Sequence, residues 1–213
     1  KIMNSALTVE AIQEFFKKHP DQFSTLRKNI ELISIDKNIP KAIDKVIDEE
    51  GSVRSDASPT LVKIRKDINS KSRAIHLVFG RILKNLKNES KLAETQESIR
   101  NGRRVLALHA ESKRSVNGII HDESDSGKTS YIEPQETVLL NNDLFELERE
   151  ENREVFRILQ TLSANISASL STLNNYQEIL ASYDLIRSKA LLAMKMDAVM
   201  PILGNKGEIY YKD

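Results

Sequence analysis

The chain has 213 residues, with 32 Lys and Arg against 31 Asp and Glu, so its net charge of +1 favours no class of partner. It has no cysteine, which excludes disulfides, thiolate nucleophiles and Cys-ligated zinc and is typical of a reducing cytoplasm. With 39% hydrophobic residues, 5% aromatic residues and no apolar run near ~18 residues long, we expect exposed helices around a modest core and no membrane partner.

Three short elements are predicted before the first long helix. Thr8 to Lys18 has the apolar spacing of an amphipathic helix with Thr8 as its cap, and Pro20 begins a second helix at its first turn. Ile39 to Ile47 is a weaker helical or extended segment. Asp48 to Arg54 then forms a turn or a small hairpin.

Two long helices are predicted on either side of a segment with β-strand character. The first begins at Ser58-Pro59, because the hydroxyl can cap free N–H groups and proline fits the first helical position. It should run to about Leu92 and span roughly 45 Å. The second runs from about Gln135 to Ser171, and its stretch from Glu148 to Glu154 is polar on every side, so we expect it to cross solvent.

The remainder of the chain is predicted to contain one more helix. Asn174-Asn175 should break or bend the chain, and Tyr176 to Met196 forms an apolar-rich helix expected in the core. A loop is predicted where proline and glycine follow it, at Pro201, Gly204 and Gly207.

Charge is distributed unequally between the two long helices. Thr60 to Leu92 contains nine Lys or Arg and two acids, whereas Asp143 to Arg157 contains six acids and three Arg. Helices of opposite charge attract when they lie antiparallel. Each exposed pair contributes only about 0–1 kcal/mol, so this pattern sets register rather than stability.

The segment from Ile99 to Pro134 is the best candidate for a functional site. Two Asn-Gly pairs and Gly127 divide it into short strands between the long helices, which predicts a small sheet at the tip of a helical arm. Long cationic side chains on an accessible scaffold suit contact with phosphates, and no Phe or Trp is interleaved for base stacking. The candidate nucleic-acid-binding residues are Arg100, Arg103, Arg104, Lys113, Arg114 and Lys128.

Other chemistries fit this segment less well. A phosphate-binding loop at Ser126 to Ser130 requires a glycine five positions before Gly127, where Asp122 stands, so a glycine turn is the better interpretation. The acids that begin at Asp122 and end at Glu133 resemble a calcium loop only loosely, because two ligand positions are serine and a strand precedes them.

The sequence predicts no metal site, cofactor or catalytic residue in this chain. His109 and His121 are expected to face each other across the strands as paired residues rather than to bind zinc. The carboxylates from Glu146 to Glu154 are expected to form a solvated helix face rather than to supply general acids.

Four blocks of sequence between about Ile47 and Leu162 resemble the bacterial second MutS lineage, MutS-II, and occur in its order. They match the start of the lever helix, the clamp start, the clamp core and the returning helix: Asp48–Val53 with Ala57-Ser58-Pro59, Leu61, Ile64 and Arg65; Ile99–Arg103; Gly118–Asp122 through Ser126-Gly127 to Tyr131–Pro134; and Leu140–Leu144. Two residues depart from the pattern. Lys128 replaces a small or neutral residue and Arg104 an aromatic one, and both add charge to the predicted tip.

The resemblance implies a mainly α fold, with a helical core, long antiparallel lever helices and a small inserted antiparallel β clamp. The core and lever would comprise residues 1–92 and 136–213, and the clamp residues 93–135. It also implies a homodimer whose ATPase domain, using ATP and Mg²⁺, follows Asp213, with a Smr nuclease domain beyond it in many members. Proteins of this lineage are associated with branched DNA, suppression of recombination and splitting of collided ribosomes.

The expected function is therefore contact with branched DNA or ribosomal RNA, and conformational transmission, in the cytoplasm. The chain itself would supply no catalysis. The alternative is a helical dimerisation or protein-interaction module with no nucleic-acid role, in which the charges serve solubility only.

Overall fold

The computed structural model describes residues 1–199, so the loop predicted at Pro201, Gly204 and Gly207 lies outside the described residues. Within residues 1–199, six α-helices and four strands follow in chain order: α1 Ile2–Lys18, α2 Ser24–Glu31, α3 Asn38–Val46, α4 Pro59–Asn88, β1 Leu92–Arg100, β2 Arg103–His109, β3 Gly118–Glu123, β4 Thr129–Pro134, α5 Gln135–Ser167 and α6 Leu170–Lys195. A short 3₁₀ helix, Ala110–Ser115, connects β2 to β3. The predicted mainly α fold with a small inserted antiparallel sheet is confirmed.

The chain divides into two compact units. Among the described residues, one unit contains residues 1–43 and 164–199, and the other contains Asp44 to Ser163. The second unit therefore holds α4, the sheet and most of α5 together. The domain boundaries inferred from the family resemblance, after residues 92 and 135, stay a prediction. No helix within residues 1–199 is long and apolar enough to cross a membrane.

The first unit is organised around Tyr176 of α6. Its ring is fully buried among apolar side chains that include Val9 and Ile30. Its hydroxyl accepts from the Asp36 N–H at 2.8 Å and donates to the Ser34 carbonyl oxygen at 3.2 Å. The core contacts of α6 extend only as far as Tyr183, since Leu185, Leu191 and Leu192 are exposed. The expectation of a core helix is thus wrong for the part of α6 that follows Tyr183.

Three helix boundaries differ from those predicted. Thr8 lies inside α1, where its hydroxyl donates to the Asn4 carbonyl oxygen at 2.7 Å, so it is not a cap. The second helix begins at Ser24, because Phe23 adopts a left-handed conformation with φ 54° and ends the turn that contains Pro20. Asn174-Asn175 lies within α6, and the break precedes Leu170.

In the second unit, α4 and α5 lie antiparallel, and paired polar side chains define their register. Ser58 Oγ donates to Glu154 at 2.6 Å, and Arg65 Nε donates to Glu151 at 2.7 Å. The predicted start of α4 is confirmed, since Ser58 Oγ also accepts from the Leu61 N–H at 3.0 Å. α4 ends at Asn88, before the predicted Leu92, which opens β1.

The polar stretch of α5 does not simply cross solvent. Glu154 is only 8% exposed and Glu151 faces α4, so the prediction of a fully solvated stretch is wrong at these two residues. Because they bond to Ser58 and Arg65, the attraction expected between the two helices is supplied by specific pairs.

Four antiparallel strands form the sheet, in the order β1-β2-β4-β3. The first Asn-Gly pair forms the predicted turn between β1 and β2, with positive φ at both Asn101 (52°) and Gly102 (75°). The second pair is not a hairpin turn, because Gly118 opens β3. The face of the sheet that carries Leu106 and Leu108 packs against Phe79 and Leu86 of α4, and this contact fixes the sheet to the helix.

Replacing Glu154 by glutamine is expected to weaken the junction between α4 and α5. Hydrogen bonds from Arg157 and Ser58 lower the pKa of Glu154 to about 2, from an ordinary value of 4.5. Loss of the charged acceptor should lower the free energy of unfolding by about 1–2 kcal/mol at neutral pH. Because the folded pKa is depressed, the carboxylate contributes fully above pH 4.5 and loses its contribution as the pH falls towards 2.

Urea unfolding of the wild type and Glu154→Gln at a series of pH values measures this effect. The difference between the two proteins should be constant near neutral pH and should shrink only in the acid range. A difference that is already absent at neutral pH would contradict the assigned role of Glu154.

Candidate nucleic-acid interface

The six predicted cations form two groups on the sheet. Arg100, Arg103 and Arg104 belong to the β1–β2 hairpin, where Arg100 pairs with Arg103 in the strand register. At the other end, the Ala110 N–H donates to the Lys128 carbonyl oxygen at 2.9 Å, which places Lys128 beside the 3₁₀ helix that carries Lys113 and Arg114. We call the first set the hairpin arginines and the second set the far-end cations.

Arg103 is bound to a buried carboxylate. Its Nη1 donates to both oxygens of Glu133, at 2.9 and 3.1 Å, and Nη2 donates to Asn142 of α5 at 2.6 Å. Glu133 is the last residue before Pro134 on β4 and is completely buried. Arg103 therefore holds the sheet to α5.

Two further side chains complete the contacts of Glu133. Asn141 Nδ2 donates to it at 2.7 Å, and His121 Nε2 lies 2.7 Å from its second oxygen. Burial alone would raise the pKa of Glu133. The hydrogen bonds from Asn141, His121 and Arg103, together with the charge of Arg103, lower it by a larger amount, so the net shift is downward. The Glu133 network thus joins β2, β3, β4 and α5 through one ionised carboxylate.

Arg104 is occupied by contacts to α4 and β1. It donates to Glu97 at 2.6 and 2.9 Å and lies 4.5 Å from the ring centroid of Phe79. Its Nη1 is 2.7 Å from His76 Nδ1, which must accept because a guanidinium only donates. Although Arg104 departs from the family pattern, its guanidinium lies over the Phe79 ring and its charge is paired with Glu97.

Arg100 is also engaged within the sheet. It donates to Asp122 at 3.0 Å and to Ser98 at 2.7 Å, and its guanidinium lies 4.0 Å from the ring centroid of Tyr131. All three hairpin arginines therefore have carboxylate partners. Because a phosphate would have to compete with these partners, the geometry favours a structural role for the hairpin arginines.

The far-end cations are more accessible. Lys113 pairs with Glu123 at 3.2 Å, on the surface. Arg114 and Lys128 are exposed, and neither has an ion pair within residues 1–199. Glu111 and Asp125 occupy the same end of the sheet, so its charge is mixed.

Sequence reasoning missed a third set of cations, on α4. Their signal was the excess of basic residues from Thr60 to Leu92, which the sequence analysis applied only to helix register. Only Arg65 and Lys71 of α4 form ion pairs with α5. Six other cations of α4 are exposed and have no ion pair in the described part of the chain: Lys63, Lys66, Arg73, Arg81, Lys84 and Lys87.

The histidines and the β3–β4 hairpin follow only part of the prediction. His121 bonds to Glu133 and His109 is exposed, so the predicted pairing of the two histidines is wrong. The predicted glycine turn is confirmed, with Gly127 at φ 65° between β3 and β4. In residues 1–199, no three His, Asp or Glu side chains are grouped closely enough to hold a metal ion.

Comparison with known proteins identifies the family, although no protein-family model matches the chain. "Endonuclease MutS2" of Agathobacter rectalis is 35% identical over 189 residues, covering 89% of this chain and 24% of that protein. The protein of the same name from Carboxydothermus hydrogenoformans is 32% identical over 93% of this chain and 26% of its own length. The protein of that name from Halalkalibacterium halodurans is 34% identical over 82% of this chain and 22% of its own length.

The chain spans about a quarter of the length of the curated relatives that it matches. These similarities extend across α4, the sheet and α5, where the four sequence blocks occur. The chain belongs to the MutS2 family.

Proposed function

We propose that this chain is a lever-and-clamp portion of a MutS2-type protein and contacts the phosphate backbone of branched DNA or ribosomal RNA in the cytoplasm. The long helices α4 and α5 form the lever, and the sheet forms the clamp. Contact through phosphates would be independent of base sequence, since no aromatic residue is placed among the far-end cations for stacking.

One observation carries this proposal. The sheet is fixed to α4 by Phe79 and to α5 by the Glu133 network, while Arg114 and Lys128 remain exposed at the far end. A sheet that is fixed to two long helices and has accessible cations at its end suits a large anionic ligand. The same contacts would transmit a conformational change in α4 or α5 to the clamp.

The remaining activities of the family are proposed for the rest of the protein. The relatives are named endonucleases and are about four times longer than the matched region. We assign ATP and Mg²⁺ binding, hydrolysis and any nuclease chemistry to those other regions, and homodimerisation to the whole protein. In this division, the chain supplies contact and transmission, not catalysis.

The test is the salt dependence of binding to a fluorescent four-way DNA junction, with a ribosomal RNA fragment as competitor. The far-end variant Lys113→Gln/Arg114→Gln/Lys128→Gln should weaken binding and reduce the slope of log K against log salt by about 1 for each phosphate that is no longer bound. A matched control, Lys18→Gln/Lys28→Gln/Lys41→Gln, removes the same charge from exposed positions of the first unit.

Equal slopes for the far-end variant and the wild type would contradict the proposal. An altered self-association constant without any binding of the junction would favour the alternative, a protein-interaction module. If ribosomal RNA displaces the fluorescent junction more effectively than unlabelled junction DNA does, ribosomal RNA is the preferred ligand.

A further inference from the structure

We infer that the outer face of α4 is a second nucleic-acid contact, along which the backbone of a double helix lies. This inference rests on the proposed function and extends it from the end of the sheet to the lever helix. We call the six exposed cations of α4 the α4 basic stripe: Lys63, Lys66, Arg73, Arg81, Lys84 and Lys87.

Helix geometry places these cations on one side of α4. Lys66, Arg73 and Lys84 are separated by seven and eleven residues, so they lie within about 20° of one another around the helix axis. Lys63 and Arg81 flank them on one side, and Lys87 flanks them on the other. From Lys63 to Lys87 the helix rises about 36 Å, which is close to one turn of B-form DNA.

The stripe is of a single charge sign. Asp67 is the only acid in α4, and it lines a groove with Lys71 and Asp143, on the side that faces α5. The two cations that do face α5, Arg65 and Lys71, are paired with carboxylates. Within residues 1–199, none of the six stripe cations forms an ion pair with α5, so their charge is available to a ligand.

The stripe carries features that act against helix stability. Lys63 and Lys66, Arg81 and Lys84, and Lys84 and Lys87 are like charges three residues apart, a spacing that is destabilising in an isolated helix. Gly80 is in the interior of the same helix, where glycine is unfavourable, although a Cβ there would meet no atom within 4 Å. A partner that approaches this surface closely accounts for both features.

The chemistry of the stripe favours nucleic acid over a protein partner. Protein interfaces are usually centred on aromatic or other apolar anchors surrounded by a polar rim. On the same face of α4, the most exposed large apolar side chain is Leu77, which is 73% exposed. No aromatic side chain lies beside it on this face. Phosphate contacts need only long cationic side chains at intervals, which the stripe supplies.

The test compares three variants of the 213-residue chain on a fluorescent duplex of about 30 base pairs, about three helical turns. The stripe variant is Lys66→Gln/Arg73→Gln/Lys84→Gln, in which glutamine preserves helix propensity. It is compared with the far-end variant and with the matched Lys18→Gln/Lys28→Gln/Lys41→Gln control. We expect the stripe variant to reduce the salt slope by about 3, whereas the control leaves it unchanged.

The outcomes separate this inference from the proposed function. If only the far-end variant lowers the slope, the stripe is not a contact and the inference fails while the proposed function stands. If only the stripe variant lowers it, the inference stands and the far-end contact fails. If neither lowers it, both fail.

A second measurement detects a protein partner and any loss of folding. A change in the molar mass of the stripe variant by light scattering, with an unchanged salt slope, would identify the stripe as an interface between copies and overturn the inference. Because like charges are removed, the stripe variant should also unfold at an equal or higher urea concentration than the wild type.

Discussion

Replacing Gly118 by alanine is expected to lower the free energy of unfolding of the second unit by about 3 kcal/mol, the upper end of the usual cost of overpacking. Gly118 pairs with Pro134 where β3 begins. A Cβ at this position would lie 2.0 Å from the carbonyl oxygen of Glu133 and 2.9 Å from its carbonyl carbon. These are backbone atoms, so rotation of a side chain cannot relieve the clash.

Urea unfolding followed by circular dichroism measures the effect of Gly118→Ala. Gly80→Ala is the matched control, because a Cβ at Gly80 would meet nothing within 4 Å. Since Gly80 is inside a helix, this control should stabilise the protein by about 0.5–1 kcal/mol. A Gly118→Ala protein as stable as the wild type would show that β3 and β4 are not as close as described.

Replacing Glu133 by glutamine is expected to destabilise the protein by about 3 kcal/mol, because removing one member of a buried ion pair leaves the other charge without compensation. Arg103 would lose its carboxylate, and the new amide group would face the donors of Asn141 and His121. Because the folded pKa of Glu133 is below its ordinary value of 4.5, its stabilising contribution is complete above that pH and declines as the pH falls below it.

The control for this substitution is Glu97→Gln, which removes the partner of Arg104. The side chain of Glu97 is 42% exposed, so screening limits the expected loss to below about 1 kcal/mol. Equal losses of stability for the two variants at neutral pH, measured by urea unfolding, would contradict a special role for the Glu133 network.

The features of the fold that could be predicted are those encoded by neighbouring residues. Ser58-Pro59 contains both the cap and the first helical residue of α4, and Asn101-Gly102 contains both residues of a hairpin turn. Gly118 follows an asparagine in the same way, yet it is needed for close approach to Glu133 on another strand. A local pattern cannot distinguish a glycine that turns the chain from one that makes room.

The candidate site was harder to predict because sequence gives the sign of a charge but not its neighbours. Arg103 and Glu133 are thirty residues apart, and only the strand order places them in contact. Three of the predicted phosphate ligands therefore have carboxylate partners within the fold. The exposed cations of α4 were visible as a charge excess, but only the position of α5 shows which of them have no ion pair in the described part of the chain.

The central claim is that the unit formed by α4, the sheet and α5 contacts the phosphate backbone of nucleic acid. Its most direct test is the affinity of the unmodified 213-residue chain for duplex DNA between about 50 and about 200 mM salt. If three far-end and three α4 cations each contact a phosphate, the slope of log K against log salt should be about −5. A slope near zero, or no binding at the lowest salt concentration, would contradict the claim.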